Sequence, residues 1–551
     1  MNDAAIAAQG VRMTTGEAVV AGLAANGLDT IFCLPGVQND ALFDALHKAR
    51  NAIRPIHTRH EQGTAYMALG AAMASGRPAA YAVVPGPGFL NTTAALSTAF
   101  ACNAPVLCLT GQIQATHINR GLGLLHEISD QLVTMRSLTK WAERIGAPQE
   151  APGLVHEAFR QMRSGRPRPV GLECAIDVWP RSAALELPEA AAAEVQPVDA
   201  DLVEAAAKLL GAAERPIIIV GSGAQDASAE VTELATMLQA PVAAHRMGQG
   251  VLDARNPLSV NCVAGCELWG TADVALAIGT RLQMQLMQWG IDEKLKIVRV
   301  DADPVEMDRI RTPTVGLIGD APRVLRALIE ALRRHNRKRA SQAEEILGVR
   351  RRVSKKLSVL QPQIAYLEAI RAELPEDGIF VDELTQLGYA SRVMFPVYHP
   401  RTFISPGYQG TLGWGVATAL GVKVARPAAR VVCVSGDGGF MFNVQELATA
   451  VQHRIAVVII VANDGAYGNV KRIQETQFGG RTIACELTNP DFVKLAESFG
   501  ALGLRAHTPE ELRAALRTAF AANVPAVIDI PSGPMPDPWT LLRPPRSRPP
   551  A

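Results

Sequence analysis

The segment IAVVIIVAND, residues 455–464, is a run of apolar, mostly β-branched side chains that stops on Asn463 and Asp464. It falls short of the roughly 20 residues that cross a bilayer, and it lacks the alternation of a strand with one wet face. A continuous apolar run bounded by turn residues marks a strand buried on both faces. AAYAVVPGPG (79–88), APVLCLTGQ (104–112), PIIIVGSG (216–223), VALAIGTR (274–281), KIVRVDAD (296–303) and ARVVCVSGDGG (429–439) repeat the pattern, with helical stretches between. Such strands alternating with helices predict an α/β fold of doubly wound parallel sheets.

A chain of 551 residues is too long for one core, and three domains are expected. We place them at residues 1–182, 195–335 and 360–535. Between the first two, RSAALELPEAAAAEVQPVDADL (181–202) is poor in strand formers and reads as a linker. The basic stretch from Arg323 to Lys356 reads as helix with a solvated charged face, leading into the third block. The closing PMPDPWTLLRPPRSRPPA (534–551) is too proline-rich to fold alone, and either stays disordered or drapes over a neighbour.

Lys and Arg number 54 against 53 Asp and Glu, a formal net charge of +1. That balance carries no electrostatic footprint for nucleic acid or an anionic membrane. Small molecules and further copies of the chain are the expected partners. MNDAAIAAQGVRMTTGEAVV has acidic and polar residues where an export signal needs a basic start and an apolar core, so the expected location is cytoplasmic. Cys262 and Cys266 have no second pair or His cluster to complete a metal site, and read as structural.

Two tripeptides stand out, GDG at 436–438 and NDG at 463–465. Either alone is a tight turn. Together they close two successive buried strands, joined by NVQELATAVQH (443–453), a helix with Asn443 as N-cap and Glu446 as its reciprocal capping partner. A β-α-β unit brings both strand ends to one sheet edge, where open α/β sheets bind ligands. Asp437 and Asn463 therefore converge. A carboxylate, a carboxamide oxygen and a carbonyl such as that of Gly465 make an incomplete oxygen cage for a hard cation, and phosphate oxygens and water complete it. That describes magnesium holding a diphosphate. Glu61, in RHEQGTAYMA (59–68), follows a short strand and opens a helix of small and apolar residues. It is either an acidic residue favoured at a helix N-terminus or a carboxyl group held against close packing.

With these residues in view, GDGGFMFNVQELATAVQHRIAVVIIVANDG (436–465) resembles the thiamine diphosphate-binding motif, with Ala462 where many relatives place the first Asn of a pair. The resemblance implies that Asp437, Asn463 and the Gly465 carbonyl hold Mg2+, with Gly436, Gly438, Gly439, Ala466 and Tyr467 around the cofactor. RHEQGTAYMA and VPGPGFLNTTAALSTAF (84–100) resemble the pyrimidine-binding domain of the acetolactate synthase, benzaldehyde lyase and benzoylformate decarboxylase superfamily. Glu61 then corresponds to the activating glutamate, which lets the cofactor's 4'-amino group act as base. GYQGTLGWGVATALG (407–421) resembles the segment that bends the cofactor, with Leu412 wedged between its rings and the Gly410 carbonyl facing the amino group. The resemblance further implies a pyrimidine-binding, a central Rossmann-like and a diphosphate-binding domain. It also implies a homodimer or homotetramer in which Glu61 of one chain serves the metal site of another.

Thiamine chemistry makes or breaks a bond beside a carbonyl, so the expected substrates are a 2-oxo acid, an aldehyde or a ketone. Pro35 to Gln38, Phe89, Gln112 and the residues from Tyr467 to Ile473 are the expected substrate walls. Gln38 and Gln112 either hold a substrate carbonyl or carboxylate or pack loops; His57 and His60 read as packing residues. The layout looks most like acetolactate synthase, with two departures. Gln285 stands where those synthases place an Arg, and Ile473 where they commonly place a Trp. A neutral Gln cannot replace a bidentate Arg against a carboxylate. The expected activity is 2-oxo acid decarboxylation, carboligation or both, with an acceptor that need not be an oxo acid. The alternative is a 2-hydroxyketone or 2-hydroxyacyl-CoA/oxalyl-CoA lyase. A non-catalytic subunit is disfavoured because Glu61 and Asp437 are both present. FAD is not favoured: IIIVGSGA is a weak dinucleotide signal, and the segment after Met247 lacks the Met-His-Gly continuation of the flavin-bearing synthases.

Overall fold

The computed structural model describes residues 10–186 and 189–548. Outside them lie residues 1–9 of the segment that lacks an export signal, residues 187–188 of the expected linker, and residues 549–551. The β-branched runs form three six-stranded sheets, and every pairing within them is parallel. The α/β expectation holds, and no described helix is long and apolar enough to cross a membrane.

The first sheet runs Arg54–His57, Thr30–Cys33, Ala79–Val83, Val106–Gln112, Val170–Ala175, Trp141–Ile145. The last runs Phe403–Ile404, Ile379–Asp382, Val431–Gly436, Val458–Asn463, Ala526–Pro531, Leu502–Arg505. Numbered within each sheet, both have the order 2-1-3-4-6-5, whereas the central sheet, from Ser259–Asn261 to Val315–Ile318, has the Rossmann order 3-2-1-4-5-6. The first and last sheets turn back a second time at their final two strands, but every order first changes direction beside its own strand 1. At that point neighbouring strands send their connections to opposite faces, which leaves a crevice beyond their carboxyl ends.

The first and last sheets share one core. Helix Glu61–Ser75 packs lengthwise on helix Trp414–Ala425, and a single buried cluster runs from Phe32 and Tyr81 through Met67, Trp414 and Leu420 to Val431 and Val461. Contact this close requires missing side chains: a Cβ on Gly421 would overlap the Met67 carbonyl, and one on Gly70 the Thr418 carbonyl.

Three sequence expectations need correction. Within the expected linker, Ser182–Leu185 is a strand paired antiparallel to Val11–Thr14; backbone hydrogen bonds to a neighbour outweigh its weak strand propensity. The proline-rich tail is ordered over the same chain's central domain. Arg548, only 5 % exposed, donates to the Trp269 carbonyl at 2.8 Å and pairs with Asp292 at 2.8 Å. The basic stretch is helical with a solvated charged face, as expected, in two pieces, Ala321–His335 and Ala343–Leu357, and its exposed charges pair with neighbouring acids, as in Arg334 with Glu204 and Lys356 with Glu267. Finally, Glu446 begins its helix instead of capping it from inside, and its carboxylate reaches another domain.

Candidate active site

At the carboxyl edge of the last sheet, Gly436 and Ala462 are paired neighbours, so Asp437 and Asn463 emerge side by side. Asp437 opens the short helix Asp437–Phe442 and Asn463 ends its strand. Asp437 Oδ1 accepts the Gly438 N–H at 2.8 Å, and Oδ2 accepts the Gly465 N–H at 2.9 Å. The Asn489 side-chain amide donates to both expected ligands, 2.6 Å from Asp437 Oδ2 and 3.1 Å from Asn463 Oδ1. Asn463 is oriented from behind by its own amide, which donates to Asp529 at 3.2 Å. One side-chain NH2 group thus already bridges the two oxygens expected to hold a cation.

The electrostatics agree. Burial raises the Asp437 carboxyl. Burial, then the charge of Asp437, pushes Asp464 up to about 6. Neither forms an ion pair among the described residues. Nor could any cluster of three or more His, Cys, Asp or Glu side chains among the described residues hold a metal, so a cation at this edge would need carboxamide, backbone and ligand oxygens beside the Asp437 carboxylate. These residues fit a magnesium-bound diphosphate. The Gly465 carbonyl, the third expected ligand, receives the Leu487 N–H at 2.8 Å, which leaves one lone pair free. Asn489 escaped the sequence reading: its Asn-Pro dipeptide signals only a turn, and the chain returns to the edge through a bridge between Ala466 and Glu486.

Beside this edge runs the 407–413 loop, with left-handed backbone at Gly407, Gly410 and Gly413 (φ 64°, 59° and 79°). Leu412 is half-buried. The loop is tied down by Glu383, a fully buried residue at the end of the neighbouring strand. Its carboxyl accepts the Gly413 N–H at 2.5 Å and the Ser435 hydroxyl, and burial pushes it up to about 7. Gly439 is packed against this carboxyl and Gly438 against the Tyr467 ring, so neither has room for a Cβ. Glu383 was also missed: VDEL shows two acids after a strand and nothing of where they point.

The first sheet presents a second edge. Glu61 is the first residue of helix Glu61–Ser75 and is half-buried. The close packing expected of it belongs to the turns behind, Gly63 to Ala74. Its carboxylate accepts from Asn91 at 3.0 Å and lies beside Gly88. Gln38 is buried nearby, with Nε2 on the Leu125 carbonyl (3.2 Å) and Oε1 against His126 (3.0 Å). Gln112 accepts its neighbour's N–H at 2.8 Å and points Nε2 at Glu173, 3.4 Å away. Phe89 is fully buried in the shared core rather than lining a crevice.

A cavity of about 1140 Å³ opens at the switch point of the central sheet, where Gly221 meets Gly279, and its wall includes Arg281, Gln285 and Tyr408. Gln285 is buried there in the turn Gln285–Trp289. Ile473 is elsewhere, on helix Gly468–Gln477, which follows the Asn463 turn.

Three family models match in chain order: thiamine pyrophosphate enzyme N-terminal TPP binding domain over 13–133, central domain over 203–328, and C-terminal TPP binding domain over 385–530. A probable 2-ketoarginine decarboxylase of Pseudomonas aeruginosa is 32% identical over 528 residues, covering 94% of each chain. A probable acetolactate synthase large subunit of Methanocaldococcus jannaschii is 33% identical over 556 residues, covering 94% of this chain and 92% of its own. Acetolactate synthase isozyme 1 large subunit of Escherichia coli is 29% identical over 535 residues, covering 94% of each.

Proposed function

The chain belongs to the thiamine pyrophosphate enzyme family, and from that premise we propose that it is a magnesium-dependent 2-oxo acid decarboxylase that passes the remaining fragment to a proton or to a carbonyl acceptor. The observation that carries the metal assignment is the meeting of Asp437 and Asn463 at the Asn489 amide. In this reading Asp437, Asn463 and the free lone pair of the Gly465 carbonyl hold Mg2+ against the diphosphate. Gly436, Gly438, Gly439, Ala466 and Tyr467 surround it, while the Gly410 carbonyl and Leu412 set the cofactor's bend.

When bound, thiamine diphosphate supplies a thiazolium carbon that accommodates the electron pair left as the bond beside the carbonyl breaks and CO2 departs. Glu61 holds a proton at the aminopyrimidine ring nitrogen. Gln38 offers a neutral donor to the substrate carboxylate or carbonyl. The involvement of Gln112 is weakened by its bonds within the first domain.

We assign residues 1–182 to pyrimidine binding, 195–335 to the central domain and 360–535 to diphosphate binding, working in the cytoplasm as a homodimer or homotetramer. Large apolar side chains are exposed on both domains that would share a site, Leu90, Leu122 and Leu125 on the first and Met441, Phe442 and Val470 on the last. A second chain that joins Glu61 to the metal edge would cover them. The resemblance to a decarboxylase named for 2-ketoarginine places that compound among the donors to test, beside pyruvate. The central cavity keeps a CoA-thioester lyase as the second reading, because it is roomy enough for a nucleotide; flavin is not favoured there.

The deciding experiment incubates the protein with thiamine diphosphate and Mg2+ and a panel of 2-oxo acids, 2-hydroxyketones and acyl-CoA esters. CO2 release from a 2-oxo acid, lost on chelation, is expected. Turnover confined to acyl-CoA esters would replace this reading with the lyase.

A further inference from the structure

We propose that Glu446 is a positioning residue that holds Glu61 in place from another domain. Glu446 is fully buried, and its carboxylate faces the peptide just ahead of Glu61. Its Oε1 accepts the His60 N–H at 3.0 Å, and its two oxygens lie 3.3 and 3.2 Å from the Arg59 N–H. Thr449 donates to Oε2 at 2.5 Å. On the far side the carboxylate is pressed against Gly63, where a Cβ would collide with it.

The partners are unusual for a buried acid. Nearby cations turn elsewhere: the Arg59 guanidinium bonds Gln452 at 3.0 Å, and the His60 ring accepts the Gln62 N–H at 3.1 Å. The His57 and His453 rings meet edge-on, 4.9 Å apart. Two backbone N–H groups and one hydroxyl therefore carry the cost of burying the carboxylate. A neutral side chain could cover the same space at lower cost, so the charge is explained by what it fixes. Arg59 and His60 are pinned by Glu446, and Gln62 by His60, while Thr58 and Thr64 join hydroxyls beneath them. Beside this pinned turn the Glu61 carboxylate is left with Asn91 as its side-chain partner.

This inference rests on the role proposed above for Glu61. It concerns how the helix start is held, and the anchor is supplied by the helix that follows the Asp437 motif in the same chain.

The test compares Glu446→Gln, Glu61→Gln and the parent as full-length protein loaded with thiamine diphosphate and Mg2+. A carboxamide can accept one N–H but sets its own NH2 against the other. In Glu446→Gln, amide hydrogen exchange of residues 59–62 should accelerate at least tenfold and kcat should fall at least tenfold, with the cofactor Kd within twofold of the parent. Unchanged exchange and a kcat within twofold would overturn the proposal. Gly63→Ala, which displaces the carboxylate without removing it, should show the same pattern. Should Glu446→Gln not fold, parental kcat in Gly63→Ala would overturn it equally. If Glu61→Gln keeps its turnover, the role given to Glu61 is what fails, separately from the exchange result.

Discussion

The Asn489 side-chain nitrogen lies 2.6 Å from Asp437 Oδ2. With its second bond, 3.1 Å to Asn463 Oδ1, it orients both oxygens toward one point. Residues that orient metal ligands typically account for about 10–100-fold in affinity. Asn489→Ala should weaken Mg2+ binding by about that factor at saturating thiamine diphosphate, measured by calorimetric titration of the metal-free protein. An unchanged Mg2+ affinity would remove Asn489 from the site.

Glu383 gives a pH dependence with a definite sign. Its folded-state value of about 7 lies above the ordinary 4.5, so the folded protein holds this proton more tightly than the unfolded chain does. The stability it contributes is complete below about 4.5 and is lost as pH rises through about 7. Glu383→Gln keeps an acceptor for the Gly413 N–H and cannot ionise. Thermal unfolding of the two proteins should differ more at pH 8 than at pH 5, with the variant gaining on the parent as pH rises. Parallel pH profiles would contradict the assignment.

Gly421 tests the shared core. Its missing side chain lets the Trp414–Ala425 helix approach the Met67 carbonyl, and backbone cannot give way as a side chain can. Gly421→Ala should destabilise by about 3 kcal/mol or more, read from urea unfolding. Because the same contact sets the helix that begins at Glu61, kcat should drop as well. A neutral substitution would mean the interface is loose.

Gln285 tests the choice of acceptor. Its carboxamide offers one neutral contact where an Arg would bind a carboxylate through two parallel hydrogen bonds. Gln285→Arg should therefore raise the share of acetolactate formed from pyruvate relative to simple decarboxylation, measured as the product ratio by chromatography. A fixed ratio would show that the central cavity does not contact the acceptor.

Local sequence carried much of this. Continuous Val and Ile runs alternating with helices point to parallel sheets covered on both faces, so three such sheets were legible, as was the meeting of Asp437 with Asn463 that follows from consecutive parallel strands. Composition misjudged segments whose structure comes from distant partners: Ser182–Leu185 became a strand because Val11–Thr14 lies beside it, and the tail was ordered by carbonyls of the central domain around Arg548.

The sequence by itself determined the sheets, the two motifs at their edges and the family, because these depend on residues close together in the chain. Only the tertiary structure decided that Asn489 bridges Asp437 and Asn463, that Glu383 anchors the 407–413 loop and that Glu446 holds the turn before Glu61. The physical reason is that a polar side chain has no preferred partner until folding removes water and brings a particular donor within 3 Å or so, and spacing along the chain does not encode that meeting.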